Sequence, residues 1–387
     1  RYIASILRGD FDCAVSMSAQ LRNADDALIS LTKEQYRCLD QLDDNPRCLI
    51  LGPAGTGKTL LAIEETKKSV AQGKRTALFC FNSNLAEWLN GYFSEMPASL
   101  RPLYIGTLHK FMTQIVKKRG VDIEYYNRDD ELREYYQEVL PHAALKALCT
   151  DDERFDKIVI DEAQDLICNS YLNVLDACLH KGIIRGHWTM FGDFSMQAIY
   201  ANGQTDTGML ELLEGYTSFI RFKLTLNCRN TKPICEEIQT VTGFETPAEL
   251  WTKIDGPPVN YITYNSPDDQ CKKLSNLLNQ LIEMHIDTDK ITILSPRKRE
   301  SSAVSLLTGF DIRDFNVPEN RCITFCTIQA YKGLENTVVI LTDIENYNSD
   351  KLMYVALSRA RSGLYILESE SASREYMTLL QRRLIHE

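Results

Sequence analysis

CLILGPAGTGKT, Cys48 to Thr59, decides how this chain is read. Four apolar residues, Cys48 to Leu51, make a short buried strand. They run into Gly52-Pro53-Ala54-Gly55-Thr56-Gly57-Lys58-Thr59, which fits the pattern GxxxxGK[ST]. In such a turn the backbone N–H groups and the N-terminus of the following helix converge on an anion. The glycines let the backbone close around a phosphate. Lys58 then reaches β- and γ-phosphates, and the Thr59 hydroxyl ligates Mg²⁺. A helical stretch over 58–72 supplies the context that the pattern requires.

Outward from this turn the chain alternates between strands and helices. TALFCF (76–81), LYIG (103–106), KIVID (157–161) and HWTMFG (187–192) read as further strands. Alternation of this kind implies a parallel sheet covered by helices. A second series starts near residue 216, with FIRFKL (219–224), VNYITY (259–264), ITILS (291–295), CITFCT (322–327), TVVIL (337–341) and GLYIL (363–367). The expected organisation is an N-terminal segment, 1–30, read as the tail of an upstream domain. A nucleotide-binding domain over 31–215 follows, with a charged helical insertion at 111–155, and then a second domain over 216–387.

IVIDEAQDL, Ile158 to Leu166, ends a buried strand in carboxylates, which is costly unless something positive meets them. In phosphate-loop NTPases an Asp at the end of a neighbouring strand helps to hold Mg²⁺. That role fits Asp161, and Glu162 then polarises the attacking water as general base.

The bulk numbers exclude several classes. Among 387 residues, 44% are hydrophobic and 25% charged, which is ordinary for a globular protein of about two to three domains. A net charge of −10 argues against coating nucleic acid by bulk charge. It leaves room for local basic runs such as Lys117-Lys118-Arg119 and Arg297-Lys298-Arg299, which otherwise read as solvated surface. The 12 Cys include no CxxC pair, and Cys322 and Cys326 lack a second pair at zinc spacing. They read as reduced thiols of a cytoplasmic protein. No apolar run approaches the roughly 18 residues of a membrane span, and no signal peptide opens the chain. No membrane partner is therefore expected. The chain opens on Arg1, which reads as the start of a fragment or processed chain.

Nine segments in order resemble superfamily 1 helicases of the UvrD/Rep-like branch. LTKEQ, with Gln35, resembles the motif that reads adenine. GPAGTGKT is the first motif and IVIDEAQDL the second, with Gln164 near the γ-phosphate. FCFNSNLAEWL (79–89), with Phe81 and Asn82, and IGTLHKFM (105–112), with Thr107 and His109, resemble strand-end motifs that touch DNA. FGDFSMQAIY (191–200) resembles the third motif, with Gln197 as γ-phosphate sensor and Tyr200 as a base contact. LTLNCRN (224–230) supplies Arg229 as an arginine finger. TIQAYKGLENTVVIL (327–341) places Thr327 on nucleic acid and Glu335 near the ribose. YVALSRAR (354–361) supplies Arg359 as a second finger.

The resemblance implies two RecA-like α/β domains with parallel sheets and an ATP site in the cleft between them. It implies ATP and Mg²⁺ as cofactors and single-stranded or tailed DNA as partner, with movement in the 3′ to 5′ direction. Three positions depart from the family pattern. Cys228 stands where relatives carry an aromatic residue that stacks on adenine. Ala201 and Asn202 follow Tyr200 where many carry a tryptophan, and Gln329 replaces a common histidine. Phe81, His109 and Tyr200 can serve equally as base contacts or as strand-end packing. Both domains also lack large insertions. The run Leu31 to Leu89 further resembles the helicase half of bacterial nuclease-related-domain (NERD) helicase proteins, which implies a nuclease domain or subunit as partner.

These readings converge on an ATP-hydrolysing single-strand DNA translocase or helicase. Two alternatives stay open: an ATP-gated module controlling a nuclease in DNA repair or in defence against foreign DNA, and an RNA helicase.

Overall fold

A computed structural model describes residues 19–21, 23–24, 36, 42, 44–122, 132, 134–148, 154–194, 206–244, 254–315 and 322–384. The first sheet contains β1 (Arg47–Leu51), β2 (Thr76–Cys80), β3 (Tyr104–Thr107), β4 (Lys157–Ile160), β5 (His187–Gly192) and β6 (Ile220–Lys223), in the order β3-β2-β4-β5-β1-β6. Every pairing is parallel. Each residue of β2 and β4 is buried, as strands covered on both faces must be. The second sheet contains β7 (Asn260–Tyr264), β8 (Ile291–Ser295), β9 (Ile312–Asp314), β10 (Ile323–Thr327), β11 (Asn336–Ile344) and β12 (Ala360–Ser369). Its order is β7-β12-β11-β8-β10-β9, and it too is wholly parallel. The architecture is α/β, with two RecA-like sheets.

One strand changes sides relative to the sequence reading. FIRFKL was expected to open the second series, but β6 pairs with β1, with Cys48 opposite Ile220 and Leu51 opposite Lys223. The first sheet therefore extends past residue 215. The pattern of a strand sets which face it buries, not which sheet it joins. The exposure of β6 at three of its four residues marks it as an edge strand. The short β9 was not anticipated at all.

Helix α1 (Lys58–Ala71) follows β1 directly. Gly57 turns the chain into it at φ 77°, and no acidic residue occupies its first turn. The positive end of its dipole is thus left uncompensated, as an anion site needs. Helix α2 (Ser83–Ser94) is capped by the Asn82 side chain, which accepts from the N–H groups of Asn84 and Leu85. Helix α3 (Leu108–Arg119) is capped by Thr107 and closed by Gly120 at φ 62°. Lys117, Lys118 and Arg119 fill the last turn of α3, where cations complement the dipole. That is a sufficient reason for the basic run. The second run is paired as well, Arg297 with Glu345 at 2.6 Å and Arg299 with Asp314 at 3.1 Å.

The described residues of the 111–155 segment do not hang off the domain. Phe111, Met112, Ile115 and Val116 of α3, together with Leu140, Ala143 and Ala147 of α4 (Leu140–Ala147), pack in one cluster with Phe79, Phe155 and Trp188. They cover one face of the first sheet. A second cluster joins the two sheets, from Ile50, Leu61, Leu85 and Leu89 to Ile328, Tyr331, Leu334 and Tyr354. Gly333 allows that approach. It sits at φ +88°, and a Cβ there would lie 2.8 Å from Leu85 Cδ2. Among the described residues, no helix is long and apolar enough to cross a membrane.

Lys157 of β4 pairs with Glu65 of α1 inside the first domain, and only about a tenth of either side chain remains exposed (11% and 10%). Removing one partner strands the other charge, so Glu65→Leu should cost about 3–5 kcal/mol. Glu65→Leu with Lys157→Met should recover most of it. Urea unfolding followed by tryptophan fluorescence checks this; a single variant as stable as wild type would contradict it.

Candidate active site

The loop from Gly52 to Thr59 joins the C-terminal end of β1 to α1 and is bent by Gly55 at φ 84° and Gly57 at φ 77°. Within it, the buried Lys58 ammonium donates to the carbonyls of Gly52 at 2.7 Å and Pro53 at 3.0 Å. Thr56 donates to the Pro53 carbonyl at 2.8 Å. Burial lowers the Lys58 pKa, and the neighbouring carboxylates of Asp193, Glu162 and Asp161 resist that shift. Gly52 cannot be replaced without movement, because a Cβ there would fall 2.4 Å from Thr56 Oγ1.

The acidic strand end faces this loop. Asp161 follows β4 with no exposed surface. Its Oδ1 accepts the Glu162 N–H at 3.0 Å. Its Oδ2 is buried with no hydrogen-bond partner among the described residues. Burial and the Glu162 charge push the Asp161 pKa up, while the Thr59 hydroxyl and Lys58 favour the ionised form. Glu162 adopts a left-handed φ of 55°, uncommon outside glycine and costly enough to mark functional turns. Burial raises its pKa, but Lys332 and Lys58 more than offset this and leave it lowered. Gln164 donates from Nε2 to the Glu162 carboxylate and accepts the Asp193 N–H on Oε1 at 3.1 Å. The base candidate is therefore held by a buried amide anchored to the end of β5.

The side of the second sheet closes over the same loop. Residues 224–231 carry the chain from β6 to α5 (Lys232–Thr242) and run across Gly55. The Cys228 N–H donates to the Gly55 carbonyl at 2.7 Å. A Cβ on Gly55 would meet Asn227 Oδ1 at 2.5 Å and Asn230 Oδ1 at 2.7 Å. Asn227 Oδ1 accepts from the N–H of Arg229 at 2.9 Å and of Asn230 at 3.0 Å. Asn230 then donates to the carbonyls of Ser358 at 3.2 Å and Ala360 at 2.6 Å. Cys228 itself is buried, so its side chain offers no platform to a base.

Arg229 pairs with Glu335, and Arg361 approaches the same carboxylate at 3.8 Å. Burial raises the Glu335 pKa, but Arg229 and Arg361 outweigh it and hold the group ionised. Arg359 is 1% exposed. It donates to the carbonyls of Val355 at 2.9 Å and Leu334 at 3.2 Å and to Ser358 Oγ at 2.9 Å. Burial and the charge of Arg229 lower its pKa to about 10, with Glu162 and Glu335 pulling the other way. Across the cleft, Lys332 pairs with Asp165, each side chain 1% exposed.

The expected nucleic-acid residues divide. Asn82 and Thr107 serve as helix caps, and Thr327 Oγ1 accepts the Ala330 N–H at 3.3 Å. Asn82 also donates to the carbonyl of Ala330 at 3.0 Å, tying the two sides together. Phe81 and His109 form an edge-on ring pair at 5.6 Å. His109 Nε2 and Tyr171 Oη lie 2.7 Å apart, and burial lowers the His109 pKa to about 4. Gln35, Gln197 and Tyr200 lie outside the described residues. The sequence reading did not single out Asn227, Asn230, Asp193, Lys332 or Tyr354. Each lies within about five residues of a motif residue, Gln197 in the case of Asp193, but only the folded chain pairs them.

No family model matches the chain, and no curated protein matches it. Among solved structures it is similar to the PRRSV helicase, at 14% identity over 88% of this chain and 56% of that one, with a TM-score of 0.41. The chain thus spans 56% of the length of that protein.

Glu162→Gln keeps the shape of the site and removes the carboxylate of the base candidate. ATP binding should persist while turnover falls by about 10²–10⁴-fold, the usual worth of a general base. Nucleotide titration beside a turnover assay separates the two, and normal turnover would exclude Glu162 as the base.

Proposed function

We propose that the chain is a nucleic-acid-dependent ATPase that moves along single-stranded DNA as a superfamily 1 translocase or helicase. One observation carries this reading: the segments that bear the two arginines are hydrogen-bonded to the phosphate loop and to each other. The Cys228 N–H, next to Arg229, donates to the Gly55 carbonyl at 2.7 Å, and Asn230 donates to the carbonyls of Ser358 at 3.2 Å and Ala360 at 2.6 Å, on either side of Arg359. Cations brought by one domain to a phosphate cradle on another make hydrolysis depend on how the domains meet.

ATP hydrolysis builds charge on the γ-phosphoryl oxygens, and fixed cations in a dry cleft stabilise it. Lys58, Arg229 and Arg359 are the groups available. Glu162, held by Gln164, takes the proton of the attacking water. A divalent cation fits the site on the chain's own geometry: Asp161 Oδ2 is buried without a hydrogen-bond partner among the described residues, and Thr59 stands beside it. Thr59 and Asp161 would hold Mg²⁺, which supplies charge neutralisation at the β- and γ-phosphates. Turnover then loosens the arginine contacts, and two units that grip a strand alternately advance along it.

The sealed contact between the two sides favours a second reading, an ATP-gated switch that controls a partner such as a nuclease. The buried Asp165–Lys332 pair and the shared apolar cluster suit a device with two discrete states.

A turnover assay with and without single-stranded DNA tests the motor. Stimulation of about tenfold or more is expected, as for other partners that complete a phosphoryl-transfer site. A rate indifferent to both DNA and RNA would contradict it, and stimulation by RNA alone would make the strand RNA.

A further inference from the structure

We propose that Tyr354 is a positioning residue through which the second side senses the phosphate loop and sets the general base. The inference rests on the ATPase reading above. Tyr354 lies on α7 (Asp350–Leu357), whose N-terminus is capped by Ser349; between α5 and α7 in the chain lies α6 (Pro267–Glu283). The ring is 5% exposed and packs edge-on against Phe244 at 5.6 Å. Its hydroxyl crosses into the first domain and meets two groups there. The Ala54 N–H donates to Tyr354 Oη at 2.9 Å, and Tyr354 Oη donates to Asp193 Oδ2 at 3.3 Å.

The direction of both bonds is fixed by elementary chemistry. An N–H can only donate, so Oη accepts from Ala54. A carboxylate can only accept, so the phenolic proton points to Asp193. Burial and the Asp193 charge raise the Tyr354 pKa well above its ordinary value, which keeps that proton in place. The chain of bonds continues inward. The N–H of Asp193 donates to Gln164 Oε1, and Gln164 Nε2 donates to Glu162. One hydroxyl thus links a phosphate-loop amide to the residue whose backbone anchors the base-holding glutamine. A tyrosine needed only for packing would not require two polar partners 300 and 161 residues away. Asp193 is also the carboxylate that acts most strongly on Lys58. A phosphate that draws the Ala54 N–H toward itself weakens the first bond, and the change is felt at Asp193, Lys58 and Glu162 together.

Tyr354→Phe removes the hydroxyl and keeps the ring. It should lower kcat by about tenfold, the worth of one well-placed hydrogen bond to a charged group, and leave ADP affinity within about twofold. Asp193→Asn should also lower kcat. The double variant should lose no more than the worse single one, because both act through one contact. Unchanged kcat in Tyr354→Phe, or losses that multiply in the double variant, would overturn the proposal. Amide exchange of the nucleotide-free wild-type chain needs neither a variant nor turnover. The Ala54 N–H should exchange about tenfold or more slowly than an open loop amide. Exchange at the open-loop rate would overturn the Tyr354 contact even if the chain proved an ATPase. A protected Ala54 in a chain that never hydrolyses ATP would instead remove the ATPase reading.

Discussion

Three carboxylates packed into five residues at the end of one buried strand impose the constraint on which the rest depends. Asp161 and Glu162 are buried, and the Asp165 side chain is 1% exposed. Burying an unpaired charge costs several kcal/mol, so each needs a cation or hydrogen-bond donors. The chain answers from both sides. Lys58 comes from the loop after β1, and Lys332 and Arg359 come from loops beside the second sheet. The two sheets are therefore joined by electrostatic need as well as by apolar contact. Lys332 pairs with Asp165 and also lowers the Glu162 pKa, so one cation serves two carboxylates.

This arrangement explains why so few residues of the cleft are free to vary in shape. Gly55 has no room for a Cβ beneath Asn227 and Asn230, and Gly333 has none against Leu85. Both stand at positive φ, where a side chain is disfavoured in any case. The loop from 224 to 231 leaves the edge strand β6, crosses the phosphate loop and delivers Arg229. Its path makes the connection between the sheets a part of the site. Interfaces packed this closely shift between discrete arrangements rather than deforming smoothly, which suits a cleft that works by closing and opening.

Much of this was legible in the sequence, for identifiable reasons. The turn from Gly52 to Thr59 is read from contiguous residues whose backbone geometry is fixed by glycines, so its strand–turn–helix setting could be drawn before any fold was known. The strands around it announce themselves as short apolar runs. Sheet membership did not, because FIRFKL carries no mark of the strand it will pair with. Partnerships across the cleft were illegible for the same reason. Nothing local to Asp165 names Lys332, and nothing local to Tyr354 names Ala54. The cap roles of Asn82 and Thr107 were hidden behind family resemblance, although Asn and Thr before a helix are ordinary capping residues.

The central claim is that a cation from the second side stabilises phosphoryl transfer on the first. Affinity for ADP with Mg²⁺ and aluminium fluoride, set against affinity for ADP alone, tests it most directly in wild type and Arg359→Ala. An arginine that acts on transition-state charge should make the variant lose about 10³-fold or more for the fluoroaluminate complex, while ADP binding changes by less than about threefold. If the two affinities fall together, or neither falls, Arg359 does not act on the transferred phosphoryl group and the account fails.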